Sequence, residues 1–117
     1  MADIDPLLEL MEKLRDKDKG CPWDIKQDHN SIAHCSIEEA YELVAAITKN
    51  DQENIKEELG DILLQVIFHS QIAKENNAFD FNDVVEVLSK KLITRHPNVF
   101  DPNFDLKISA DEQSRLW

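Results

Sequence analysis

Two pairs of acidic residues in this chain are spaced to work together. Glu39 and Glu42 lie three residues apart, and so do Glu58 and Asp61. On a helix, positions i and i+3 share a face and sit about 4.5 Å apart along the axis. The surroundings of the second pair are unusual. From Leu59 to Phe68 the sequence reads LGDILLQVIF, and Ile62, Leu63, Leu64, Val66, Ile67 and Phe68 spread around the whole circumference. A helix that is apolar all round is expected to be covered on most sides. Glu58, Asp61 and Gln65 then form one narrow polar seam along it, with His69 close by and no Lys or Arg on the seam. Around the first pair, Glu38, Glu39 and Glu42 fill a sector about 100° wide. Ile37, Ala40, Tyr41, Val44 and Ile47 take the opposite side.

Clustered carboxylates in low-dielectric surroundings repel one another and are costly unless something neutralises them. A hard divalent cation with oxygen ligands is the natural counter-charge. An all-carboxylate set points to magnesium or manganese rather than zinc. Cys21, His29, His34 and Cys35 fit no common zinc spacing.

These residues must be positioned by helices. Asp5 with Pro6 can open a first helix, whose apolar stripe Leu7, Leu8, Leu10, Met11 and Leu14 carries it to about Lys17. The stretch from Asp18 to Asn30 holds Gly20, Pro22 and Trp23 and reads as a loop. A second helix starts somewhere in Ser31–Ser36, with Ser36 and Glu39 as a capping box, and runs to about Lys49. Asn50 and Asp51 break the chain, and a third helix runs from about Gln52 to Lys74. The short break makes the two helices antiparallel neighbours, so the acidic pairs can meet across their interface. Asp80 or Asn82 can cap a fourth helix with Val84, Val85, Val87, Leu88 and Leu92 on its buried side, closed by Pro97. The tail is expected to be mostly irregular with a short final turn of helix.

Composition sets the frame. A chain of 117 residues is one domain by length, 1–117, with its core at about 4–100 and a C-terminal tail at 101–117. The apolar content of 42%, with only two glycines and four prolines, predicts an all-α, four- to five-helix, bundle-like subunit. A net charge of −11 disfavours nucleic acid polymers and anionic membranes. The start MADIDPLLEL lacks the marks of a signal peptide, and no run approaches a membrane span, so the expectation is cytoplasmic. The two cysteines form no CxxC, as suits a reducing compartment.

The motifs also resemble a known family. EEAYE at 38–42, followed by ELGD at 58–61, is similar to the EExxE…ExxD signature of MazG-type nucleotide pyrophosphohydrolases. LRDKDKGCPWDIKQ, ELGDILLQVIFHSQIA, FDFNDV and KLITRHPNVF extend the resemblance over about residues 4–100. The resemblance implies the all-α MazG-like fold and a homodimer or dimer of dimers. It implies cleavage of a nucleoside triphosphate between the α- and β-phosphates, which removes non-canonical or excess nucleotides. It further implies that Glu39, Glu42, Glu58 and Asp61 hold Mg²⁺ (or Mn²⁺), and that Glu38 is an accessory ligand or the base that orients the attacking water, with Glu39 as its catalytic partner. A narrower dUTPase-like, dCTPase-like or phosphoribosyl-nucleotide activity is the alternative, and beyond enzymes a helical oligomerisation module.

For the substrate, Trp23 is a candidate to stack on the base, against the alternative of a loop anchor. Lys26 is weighed as a phosphate contact against a solvated lysine. Lys90, Lys91, Arg95 and His96 make a basic cluster near a helix end, where they offset the helix dipole or bind phosphate. Arg95 and then Lys91 are the residues expected on phosphate.

Overall fold

A computed structural model describes residues 2–103 and 108–116, the side chain of Leu116 excepted. Every element among them is a helix: α1 Asp5–Leu14, α2 Pro22–Lys26, α3 His29–Thr48, α4 Gln52–Glu75, α5 Phe81–Thr94, α6 Pro97–Phe100 and α7 Ala110–Leu116. The all-α expectation is met. None of these helices is long and apolar enough to cross a membrane.

The chain divides into two compact units, Met1–Phe81 and Asn82–Trp117. In the first, α3 and α4 form a long hairpin, and α1 packs on α4. The hairpin turn needs a left-handed residue. Asn50 supplies it at φ 53°, a region Asn tolerates better than other side chains. Its N–H and that of Asp51 donate to the carbonyls of Ile47 (2.9 Å) and Ala46 (3.3 Å). Asp51 then caps α4 by accepting from the Asn54 N–H at 3.2 Å. The core is small: Met11, Ile32, Ile67, Phe68 and Ile72 are buried, with Ile4, Leu8 and Cys35 packed against them.

Four expectations are corrected. Asp5 is the first helical residue of α1, and Ile4 holds the cap position. The 18–30 stretch is not all loop, because Pro22 starts the short helix α2. α3 begins earlier than expected, at His29. Its capping box is Asp28 with Ser31, and Ser36 lies well inside the helix. Asp28 Oδ1 accepts from the Ser31 N–H at 2.8 Å, and Ser31 Oγ accepts from the Asp28 N–H at 2.9 Å. A serine hydroxyl thus does the work expected of a Glu carboxylate. The tail holds α6 where irregular chain was expected, while the short final helix, α7, is as expected.

The burial expectations fail more broadly. Leu59, Leu63, Leu64 and Val66 of α4 are exposed in the single chain, as are Val85, Val87, Leu88 and Leu92 of α5. An apolar face reports that a helix needs cover. It does not report whether the same chain supplies it.

Arg15 ties the segment between α1 and α3 in place. Its guanidinium donates to the carbonyls of Asp24 (2.5 Å) and Gln27 (3.1 Å). It makes a two-pronged pair with Glu75 at 2.8 and 2.9 Å, and lies 5.5 Å from the centre of the Phe68 ring. Gly20 closes the turn after α1, where a Cβ would collide with the carbonyl oxygens of Leu14 and Asp16. Arg15→Met should cost about 2–3 kcal/mol by urea unfolding at neutral pH, since charged hydrogen bonds are lost and two carbonyls are stranded. Arg15 holds the Glu75 carboxyl below its usual range. That part of the stability is present above the ordinary glutamate pKa and is lost as pH falls through the lowered folded value. The gap between parent and variant should therefore narrow in acid. An equal gap at pH 7 and pH 3 would remove Glu75 from the account.

Candidate functional site

The hairpin brings the acids of α3 and α4 together. One carboxylate oxygen from each of Glu39, Glu58 and Asp61 lies within 4.8 Å of the other two. Glu39 and Glu58 are partly buried and Asp61 is exposed. Burial, then the Asp61, Glu42 and Glu38 carboxylates, push Glu39 above its usual pKa, and a hydrogen bond with Glu58 acts in the opposite direction. Burial, then Asp61, Glu39, Glu42 and Glu57, push Glu58 up likewise. The ion pairs at Arg15–Glu75 and Lys56–Glu53 involve other acids.

Three hard oxygen donors from facing helices, two of them (Glu39 and Glu58) pushed above their usual pKa, fit a divalent metal. Glu42 is not within that tight group, although its charge is felt by both Glu39 and Glu58. Glu38 sits elsewhere: one atom each from His34, Cys35 and Glu38 come within 4.8 Å, with His34 Nε2 3.7 Å from Cys35 Sγ. The sequence reading missed this group, whose signal was His34 and Glu38 at i and i+4.

The polar seam of α4 continues past the acids. Gln65 follows Asp61 by one turn, and its Oε1 is buried with no hydrogen-bond partner. Leaving a carbonyl buried and unpaired costs about 1–3 kcal/mol. His69 comes one turn later and stacks on His29, ring centres 5.0 Å apart and planes 11° apart. Their Nδ1 atoms are 2.7 Å apart, so one ring donates and the other accepts. Burial first, and the His29 charge second, lower the His69 pKa. His29 was not anticipated as its partner.

Trp23 opens α2, 58% exposed, with its ring edge-on to Phe68 at a centroid distance of 6.4 Å. It is thus anchored on one side and open on another. Lys26 is exposed at the end of α2. Lys91 and Arg95 belong to the second unit. There Arg95 donates its N–H to the Lys91 carbonyl at 2.9 Å, and its own carbonyl accepts from the Gln113 side chain.

An all-α hairpin that gathers carboxylates from two helices defines the class of the site. The family model of the MazG nucleotide pyrophosphohydrolase domain matches residues 27–100, which takes in all three clustered acids. The chain belongs to that family. It is 48% identical over 118 residues to the nucleoside triphosphate pyrophosphohydrolase/pyrophosphatase MazG of Thermotoga maritima, covering 96% of this chain and 46% of that protein. It is also 48% identical over 100 residues to the nucleoside triphosphate pyrophosphohydrolase of Escherichia coli K12, covering 86% of this chain and 38% of that one. The chain therefore spans less than half the length of these curated relatives. A crystal structure of a mazG-related protein from Thermotoga maritima superimposes with a TM-score of 0.73 at 29% identity, covering 97% of this chain and 94% of that one.

Proposed function

We propose that the chain hydrolyses nucleoside triphosphates between the α- and β-phosphates, releasing a nucleoside monophosphate and pyrophosphate in the service of nucleotide-pool house-cleaning. The observation that carries this reading is the cluster of Glu39, Glu58 and Asp61, three carboxylates gathered from two helices, with Glu39 and Glu58 pushed above their usual pKa. The names of its relatives, and the family's own description, support the reaction class.

In this reading Glu39, Glu42, Glu58 and Asp61 hold Mg²⁺, or Mn²⁺ in its place. A bound divalent cation neutralises the triphosphate and the charge that builds on it as the bond breaks. The protein is itself strongly acidic at −11, so it needs such a mediator to accept an anionic substrate. Glu38 and Glu39 are the residues proposed to orient the attacking water and take its proton. Trp23 stacks on the base, and Lys26 is the phosphate contact proposed from the same unit.

The exposed stripe of α3 supports self-association. Ile37 is 62% exposed, Tyr41 73%, Val44 59% and Ile47 55%, and they recur at helical spacing along one face. A second copy would cover it, giving a homodimer or a dimer of dimers. The proposed location is the cytoplasm, where the substrate pool lies.

The direct test is a nucleotide panel assayed for product with and without Mg²⁺. Pyrophosphate should appear with each hydrolysed triphosphate and only with the metal present. Orthophosphate as the first product would place the cut at the wrong bond.

A further inference from the structure

A second set of ligand atoms stands apart from the carboxylate cluster. One atom each from His34, Cys35 and Glu38 lie within 4.8 Å of one another, and none of these residues belongs to the Glu39–Glu58–Asp61 group. All three are on α3. His34 and Glu38 are one turn apart, a spacing at which two side chains of a helix can reach the same ion. Both are exposed and Cys35 is half-buried. Cys35 also packs against the core of Met11, Ile32 and Phe68, which holds the thiol in place while the other two ligands stay open to solvent. The spacing of cysteines and histidines alone does not announce such a set, because its third member is a glutamate.

The donors differ in kind from those of the carboxylate cluster. A thiolate, an imidazole and one carboxylate suit a borderline-soft divalent ion, whereas Mg²⁺ is bound through oxygens. The charges match as well, since thiolate and carboxylate together offset the two positive charges of the ion. The distances agree. Zn–N and Zn–S bonds of about 2.0–2.1 and 2.3 Å place their donor atoms about 3.5–3.6 Å apart across a tetrahedral edge. His34 Nε2 and Cys35 Sγ are 3.7 Å apart.

We propose that His34, Cys35 and Glu38 form a zinc site on α3, separate from the carboxylate cluster and selective against Mg²⁺. The chain supplies three ligands, and water takes the fourth, solvent-facing position. As the ion binds, the Cys35 thiol gives its proton to solvent and coordinates as the thiolate. The site stands independently of the proposed hydrolysis, and its test needs no turnover.

The test titrates the reduced, metal-free chain with Zn²⁺ by calorimetry in the presence of excess Mg²⁺, and with Co²⁺ by absorption spectroscopy. One equivalent of Zn²⁺ should bind despite the Mg²⁺. Co²⁺ should give a thiolate-to-cobalt charge-transfer band in the near ultraviolet. Losing even a group that only orients a metal ligand commonly costs 10–100-fold in affinity. Cys35→Ser should therefore weaken Zn²⁺ about a hundredfold or more and abolish the charge-transfer band, and His34→Ala should weaken Zn²⁺ at least about tenfold. His34 is exposed, so its variant probes the site without disturbing the core. Cys21→Ser should keep the band, and Asp61→Asn should keep the Zn²⁺ affinity within about twofold. Zinc binding that Mg²⁺ displaces, that survives both Cys35→Ser and His34→Ala, or that disappears in Asp61→Asn would overturn the proposal. So would a charge-transfer band that follows Cys21.

Discussion

Asp61→Asn should abolish pyrophosphate release while making the metal-free chain more resistant to heat. Asp61 stands with Glu39 and Glu58 in the carboxylate cluster, and its charge is the largest electrostatic cause raising both their pKa values after burial. A raised folded pKa means that the folded state disfavours the ionised carboxylate relative to the unfolded chain, and at neutral pH that penalty is felt in full. Asn has nearly the same shape and no charge, so the repulsion on both glutamates drops. The same change removes a hard oxygen ligand. A cation in such a site supplies several kcal/mol of transition-state stabilisation, and each 1.36 kcal/mol is tenfold in rate, so a loss of about a thousandfold or more is expected. The measurements are pyrophosphate release with Mg²⁺ and the thermal midpoint in a chelator. A variant that is inactive and also less stable would mark Asp61 as a structural residue. One that keeps full activity would remove it from the site.

How far the site was legible in the sequence follows from what helical spacing encodes. Glu39, Glu58 and Asp61 could be paired from the sequence because i, i+3 periodicity fixes a face, and the short break at Asn50 and Asp51 fixes an antiparallel return. The same reasoning could not decide Glu42, because whether a carboxylate reaches the cluster or stands beside it depends on interhelical register. Glu38 shows the limit differently. It is adjacent to Glu39 in sequence, yet one residue is a rotation of about 100°, which carries it round to His34 and Cys35. Arg15 and His29 were illegible because each acts through a partner dozens of residues away, Glu75 and His69. The start of α3 was placed too late because Ser36–Glu39 matches the capping-box pattern as a string. Asp28–Ser31 has the geometry. The apolar faces are demands for cover that this single chain does not meet, since Leu63 and Leu64 of α4 and Val87 and Leu88 of α5 are exposed.

Magnesium should stabilise the folded chain by an amount that grows with pH. The carboxylate cluster exists only in the folded state, so a cation bound there shifts the folding equilibrium by mass action. At a hundred times its dissociation constant the gain is about 2.7 kcal/mol, roughly 10 °C in thermal midpoint for a domain of this size. Protons compete for the same oxygens. Glu39 and Glu58 are both raised from the ordinary value of 4.5. In the metal-free chain this makes stability fall as pH rises from that value through the raised folded ones, because the folded state gives up its protons less readily than the unfolded chain. With the metal present the loss is offset, since the ionised carboxylates are then paired. The shift produced by Mg²⁺ should therefore be large at neutral pH and shrink as pH is lowered through the raised values toward 4.5 and below. Thermal midpoints measured across pH with MgCl₂, and with NaCl at matched ionic strength, decide the matter. Equal shifts from both salts would mean that general screening suffices. Asp61→Asn should lose most of the magnesium-specific part, which separates a site built by the hairpin from the diffuse attraction of an acidic surface for any divalent ion.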